Sequence, residues 1–242
     1  MANIPVRGTV DASGTVEARF NGGDWQPIAQ GANGAFSGAL ENQPQGQGAL
    51  EVRLADASDV TAAVPYVGIG DVFVIAGQSN ASGRGDHLQS AGHDWLKAAL
   101  FGNDYLWREL SDPTDRDAGQ VDSVSVDFEA AGSVWTLVAG HYLNATGVPV
   151  AFVPAAKGGS SITAWQPGRD PFDRATLYGS MAYRARLTGA KAVLWWQGET
   201  DALDGMAQAD YQRQFSQLAT AVRRDLGIPI MPALIHNSMA IP

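Results

Sequence analysis

The chain contains no cysteine. That absence excludes disulfides, thiolate metal sites and a cysteine nucleophile, and it selects no compartment. Basic residues are also scarce. Against 25 Asp and Glu there are 16 Lys and Arg, the net charge is −9, and no run of Lys or Arg occurs. Nucleic acid and anionic membranes both require a basic footprint, so neither is expected as a partner. The same balance weighs weakly against a strongly anionic substrate, because local charge can override it. Long apolar runs are missing too, and none approaches the roughly 18 residues of a membrane span. Residues Met1 to Gly8 have neither a basic n-region nor an apolar h-region, so no signal peptide is read. The expectation is a soluble protein, cytoplasmic or else exported or virion-associated without a conventional leader. A mature secreted form would read the same.

What is present is enough apolar material to fold. Hydrophobic residues make up 45% of the 242 and charged residues 17%, which favours a packed core over disorder. The length suits one large domain, or a medium one with a small one attached. Residues 1–66 read as a small β module. Alternating runs at Ile4–Val10, Thr15–Phe20, Ala35–Leu40 and Ala49–Leu54 are separated by turn-forming stretches such as Asp11–Gly14 and Asn21–Asp24. Short strands at this spacing suggest a sandwich-like unit. So small a module is marginal as an independent core and is expected to pack on the rest of the chain.

Residues 67–242 obey another rule. Near-continuous apolar runs at Val72–Ala76, Val148–Val153, Ala192–Trp196 and Ile228–Ile235 read as parallel strands covered on both faces. Helical periodicity lies between them, over 133–146, 177–187 and 206–226, with Gly147 and Gly227 as stops. Strands alternating with helices imply a three-layer α/β/α domain with a parallel sheet. His93–Glu109 reads as helical, and Ser111–Glu129, rich in Asp, Ser and Gly, as a long loop of the functional or mobile kind. The sequons Asn80-Ala81-Ser82 and Asn144-Ala145-Thr146 read as chance matches to a short motif.

Three of the predicted strands run into polar, glycine-containing loops: Gly77-Gln78-Ser79-Asn80, Lys157-Gly158-Gly159-Ser160-Ser161 and Gln197-Gly198-Glu199-Thr200-Asp201. Parallel strands bring these carboxyl ends to one edge of the sheet, where open α/β folds bind ligands. Acyl transfer at a serine needs a nucleophile, N–H donors aimed at the developing oxyanion, and a base. Ser79 supplies the first, and the glycine amides can supply the second because glycine permits close backbone approach. The motif is not the Gly-x-Ser-x-Gly elbow, since position 81 is Ala. Lys157-Gly158-Gly159-Ser160 lacks the spacing of a phosphate loop.

Gly77-Gln78-Ser79-Asn80, Lys157-Gly158-Gly159-Ser160 and Trp196-Gln197-Gly198-Glu199-Thr200-Asp201 resemble, in order and spacing, the motifs of SGNH-type esterases. The sialate O-acetylesterase and carbohydrate esterase 6 branch is the nearest likeness. Gly70-Asp71-Val72 and the β module before it also look like that branch, and the resemblance covers about 65–235. It implies an SGNH-hydrolase-like domain acting as a carbohydrate O-acetylesterase, with Ser79 as nucleophile. The oxyanion hole would be formed by the Ser79 N–H, an N–H of Gly158 or Gly159, and the Gln197 side chain. Glu199 would help order the site. No cofactor or metal is implied, and the partner would be an acetylated carbohydrate.

One departure stands out. The family carries Asp-x-x-His after a further strand, whereas His87, His93, His141 and His236 all lack Asp three residues before them. The domain is therefore expected to be truncated at its C-terminus. Otherwise another chain completes the site (in a homo-oligomer or a surface or virion assembly), or His236, following Ile235, takes the role, or the protein is a non-catalytic glycan binder. His87 and His93 read as loop residues and His141 as structural. Asp201 divides between loop capping and function. Trp165, Trp195 and Trp196 are candidates for a sugar cleft, with core packing favoured for Trp195. Adjacent strand residues face opposite ways, so Trp195 and Trp196 cannot share a layer.

Overall fold

The computed structural model describes residues 1–122, 124, 125, 127 and 131–233. Its chain divides into two units, Met1–Gly70 and Asp71–Pro242.

In the first unit, strands β1 (Ala2–Phe20), β2 (Gln26–Gln43), β3 (Gly46–Leu54) and β4 (Ala57–Ile69) form one antiparallel sheet in the order β2-β1-β3-β4. Every second residue over much of β1 faces the core, so Ile4, Val6, Val16, Ala18 and Phe20 are buried with Phe36, Leu40 and Leu50. The runs expected as separate strands at Ile4–Val10 and Thr15–Phe20 are the two halves of β1. Between Val10 and Ser13 the register with β2 shifts, and the strand bends there instead of turning back. The β1–β2 hairpin folds on itself at this point. A Cβ placed on Gly38 would lie 2.1 Å from the carbonyl oxygen of Ile28, a residue of the same strand. This doubling makes the unit sandwich-like. β4 is an addition to the expected strands; Val64 and Tyr66 on it are exposed, so its pattern carries little amphipathic signal.

The second unit is built on a six-stranded sheet. Its elements, in chain order, are β5 (Asp71–Gly77), α1 (Ser79–Ser82), β6 (Ala99–Phe101), β7 (Trp107–Glu109), α2 (Trp135–Thr146), β8 (Val150–Pro154), a 3-10 turn at Ile162–Trp165, α3 (Leu177–Thr188), β9 (Ala192–Trp196), α4 (Glu199–Leu203), α5 (Gln208–Leu226) and β10 (Ile230–Pro232). The strand order is β10-β9-β5-β8-β6-β7, parallel except for β7 at the edge. Alternate residues of β5 enter opposite layers. Val74 and Ala76 pack with Leu177, Met181, Leu218 and Val222 of α3 and α5, whereas Ile75 packs with Trp135, Ala139 and Leu143 of α2. The three-layer α/β/α arrangement results from strands that are apolar on both faces.

The segment 93–109, expected to be helical, contains β6 and β7 instead. Its apolar residues fall in short runs, chiefly Ala98–Phe101 and Tyr105–Trp107, and such short runs do not separate strand from helix. Pairing of Ala99 and Leu100 with β8 decides the matter. The His93 Nδ1 accepts the N–H groups of Trp95 and Leu96, at 3.1 and 2.9 Å, which turns the chain before β6. The described part of the loop at 111–129 has no regular structure, yet Asp112, Thr114, Asp115, Asp122, Ser125 and Asp127 within it are buried.

Candidate active site

The loops after β5, β8 and β9 are joined by their own backbone. The Gln78 N–H donates to the Trp196 carbonyl at 2.9 Å and the Lys157 N–H to the Gly77 carbonyl at 2.9 Å. Gly77 is required at this junction. Its φ is +132°, and a Cβ there would sit 1.9 Å from the Trp196 carbonyl oxygen. The turn delivers Ser79, half-buried, to the first position of α1 at the carboxyl edge of the sheet.

Gln78 is buried, and its side-chain oxygen accepts from the Gln197 amide and from the backbone N–H groups of Gly198 and Thr200, each at 3.2 Å. One side chain beside the serine thus holds the entire start of α4. Asn80, on the other side of Ser79, donates to Glu199 Oε1 at 2.6 Å. The second oxygen of Glu199 is buried and, among the described residues, has no hydrogen-bond partner. An orphaned carboxylate oxygen is costly, and it marks a place where a donor would be well received.

The Gln197 amide nitrogen donates to the Ser160 carbonyl at 2.9 Å, to Gln78 Oε1 at 3.2 Å and to Asp201. Its oxygen accepts from the Tyr211 hydroxyl at 3.0 Å. Two amide hydrogens are shared among three acceptors, so the longest of these bonds is the weakest. Asp201 is buried and also accepts the Ile162 N–H at 3.0 Å, tying α4 to the 3-10 turn. Asp201 therefore braces the loop.

Lys157 to Ser160 form a tight turn. The Ser160 hydroxyl donates to the Lys157 carbonyl at 2.7 Å, and the Gly158 N–H donates to Asp127 Oδ2 at 3.1 Å. Arg84, just beyond α1, donates to the other oxygen of Asp127. Among the described residues neither the Ser79 N–H nor the Gly159 N–H has a hydrogen-bond partner. Two unpartnered amides and a serine hydroxyl thus lie on neighbouring loops at one sheet edge, the arrangement that oxyanion stabilisation needs.

The sequence-based candidates divide clearly. Ser79, Gly158, Gly159, Gln197 and Glu199 belong to this connected cluster. His236 lies outside the described residues. His87 and His141 are exposed, and among the described residues no histidine bonds Ser79 or Glu199. Among those residues, too, no group of three or more His, Asp or Glu side chains could hold a metal ion. Trp165 is corrected as a cleft residue, and Trp195 packs in the core as favoured. Both are buried and pack edge-to-face at 5.2 Å, and the Trp165 indole donates to the Ser160 hydroxyl at 2.9 Å. Trp196 faces the opposite layer from Trp195 and is half-buried. Gln78, Asn80, Arg84, Asp127 and Tyr211 join the cluster without having been candidates. The first two flank Ser79 inside its own motif, and that adjacency is the signal that could have found them. Nothing local distinguishes Arg84 or Asp127.

Residues 69–240 match a family described as carbohydrate esterase, sialic acid-specific acetylesterase. A probable carbohydrate esterase of Arabidopsis thaliana is 28% identical over 184 residues, which cover 67% of this chain and 66% of that protein. The chain thus spans just under two thirds of the length of this curated relative. An Arabidopsis thaliana crystal structure aligns with a TM-score of 0.53 and 27% identity, over 69% of this chain and 74% of that one. A carbohydrate acetylesterase from Xanthomonas citri aligns with a TM-score of 0.51 and 24% identity, over 96% of this chain and 56% of that one. This last likeness is one of fold, and it runs through the N-terminal sheet as well.

Proposed function

The chain belongs to the carbohydrate esterase, sialic acid-specific acetylesterase family, and from that premise we propose that it is a serine esterase that removes O-acetyl groups from a carbohydrate. The observation that carries the reading is the convergence of Ser79 with the unpartnered Ser79 and Gly159 N–H groups. In this reading the Ser79 hydroxyl attacks the acetyl carbonyl. The Ser79 and Gly159 amides receive the oxyanion, and Gln197 joins them by giving up its 3.2 Å bond to Gln78. Gln78 stays satisfied, because Gly198 and Thr200 still donate to it. The sugar hydroxyl leaves, and water hydrolyses the acetyl-enzyme. Glu199 offers its unpaired oxygen to the N–H of the histidine that serves as base. Within this chain the candidate for that base is His236, which follows β10 in sequence and lies outside the described residues.

Acetate release from p-nitrophenyl acetate and from acetylated glycans tests this. Ser79→Ala is expected to bring the rate to background and His236→Ala to lower it by about three orders of magnitude. Equal rates in wild type and Ser79→Ala would sink the enzyme reading. Glycan binding without turnover, unaffected by Ser79→Ala, would favour a non-catalytic binder. An unchanged rate in His236→Ala would move the base to another group. A homo-oligomer in which another chain supplies the histidine is an alternative to His236, and a strict monomer by light scattering would count against it.

A further inference from the structure

We propose that Asp127 and Arg84 form a clamp that positions the Gly159 N–H as an oxyanion donor. Its consequence for rate rests on the esterase reading, while its geometry does not.

The polar groups of the turn at 157–160 are nearly all committed. The Lys157 N–H is bound to the Gly77 carbonyl at 2.9 Å. The Lys157 carbonyl receives the Ser160 hydroxyl at 2.7 Å and the Ser160 N–H at 3.3 Å. The Gly158 N–H is bound to Asp127 Oδ2 at 3.1 Å. The N–H groups on both sides of Gly159 are therefore fixed, and among the described residues its own N–H is left over. The Ser160 end of the turn is held from outside by the Gln197 amide and the Trp165 indole, and the Gly158 end by Asp127. The Asp127 side chain is 5% exposed, so the bond is made in surroundings that strengthen it. A charged acceptor holds a backbone N–H more firmly than a carbonyl does. The fit is close, since a Cβ on Gly158 would lie 2.8 Å from Arg84 Nη2 and 3.0 Å from Asp127 Oδ2.

A carboxylate here carries a penalty that explains the arginine. Negative charge grows on the substrate oxygen next to the turn, and an uncompensated Asp127 would oppose it. Arg84 donates to Asp127 Oδ1 and neutralises that charge, so the turn is held without repelling the oxyanion. Both are positioning residues, and neither needs to touch substrate.

The test combines steady-state kinetics with amide spectra of glycine-labelled protein. Arg84→Gln leaves the carboxylate uncompensated and is expected to lower kcat about tenfold to hundredfold, with KM within about twofold, a loss no larger than the roughly hundredfold minimum for removing an oxyanion donor outright. Arg84→Gln combined with Asp127→Asn is expected to be faster than Arg84→Gln alone, because the offending charge is gone. A purely structural pair would show the reverse. Arg84→Lys, which keeps the charge, is expected to recover most of kcat, and thermal midpoints identify any variant that fails to fold. Asp127→Ala should move the Gly158 amide proton upfield. If that signal stays put in folded protein, the clamp is overturned whatever the rates. If it moves while wild type shows no Ser79-dependent turnover, the clamp stands and the esterase reading fails. If wild type turns over and Arg84→Gln is unimpaired, the positioning role is overturned.

Discussion

Both units pair arginine with carboxylate, in opposite surroundings. On the N-terminal sheet, Arg19 meets Glu51 at 2.7 Å and Arg53 meets Glu17 at 2.9 Å, with these side chains 20–32% exposed. The pairs face each other across β1 and β3 in register, and Trp25 lies under both guanidinium groups, at 4.6 and 4.1 Å. In the second unit Arg184 is fully buried on α3. It donates to Asp122 at 3.0 Å, to Ser125 at 3.3 Å, and to Asn103 and the Pro154 carbonyl at the end of β8. Burial pushes the Asp122 carboxyl up, but the Arg184 charge and hydrogen bonds from Arg184, Ser180 and Tyr105 outweigh it and hold the group below its usual range. The outer ladder is exchangeable with water, so it dresses a sheet that its apolar face already holds together. The inner network has no water to fall back on, and it anchors the irregular loop at 111–127 to the end of β8.

The strongest way to break this contrast is Arg184→Leu. It strands Asp122 and the Asn103 oxygen in the interior and should cost about 3–5 kcal/mol in urea unfolding. Adding Asp122→Asn should recover part of the loss, and a loss no larger than that of a surface substitution would refute the network's role.

A second test uses pH. Asp115 is fully buried, accepts from Asn103 at 2.7 Å and faces Arg184, Asp127 and Ser82. Burial pushes its carboxyl up to about 7, against the pull of Asn103 and Arg184. The folded state thus keeps a proton that the unfolded state releases near pH ~4. Stability from this group is present at low pH, falls by at most about 1.4 kcal/mol per unit as pH rises from about 4 to 7, and then levels off. Asp115→Asn should remove that slope, whereas an unchanged slope would place the titration elsewhere.

On the outer sheet Trp25→Ala should cost about 1 kcal/mol, through two lost cation–π contacts. Arg19→Ala should move the melting midpoint least of all, and the residual shift should shrink in high salt. If Arg19→Ala rivalled Arg184→Leu, the contrast between the two units would fail.

Legibility from sequence tracks the range of the forces involved. The central strands β5, β8 and β9 and the helices α2, α3 and α5 are legible because their apolar periods are local and strong. So are the three loops of the site, because parallel strands leave them no other edge. The short strands β6 and β7 are illegible, since three residues each acquire strand character only by pairing with β8 and with one another. The same holds for Arg84 and Asp127, 43 residues apart in sequence and joined only in space. Trp165 misleads for a related reason, because an aromatic residue in a polar loop gives no sign that its indole turns inward to Ser160.

The sequence by itself determined the α/β/α layering, the serine at a strand end and the glycines that let backbone amides approach it, since each is written in residues a few positions apart. Only the tertiary structure decided which groups at that edge are spent and which are open. It commits Gly158 to Asp127 and Asp201 to Ile162, and among the described residues it leaves the Ser79 and Gly159 amides without partners. Hydrogen-bond satisfaction is a balance over the whole neighbourhood, and residues distant in sequence set it.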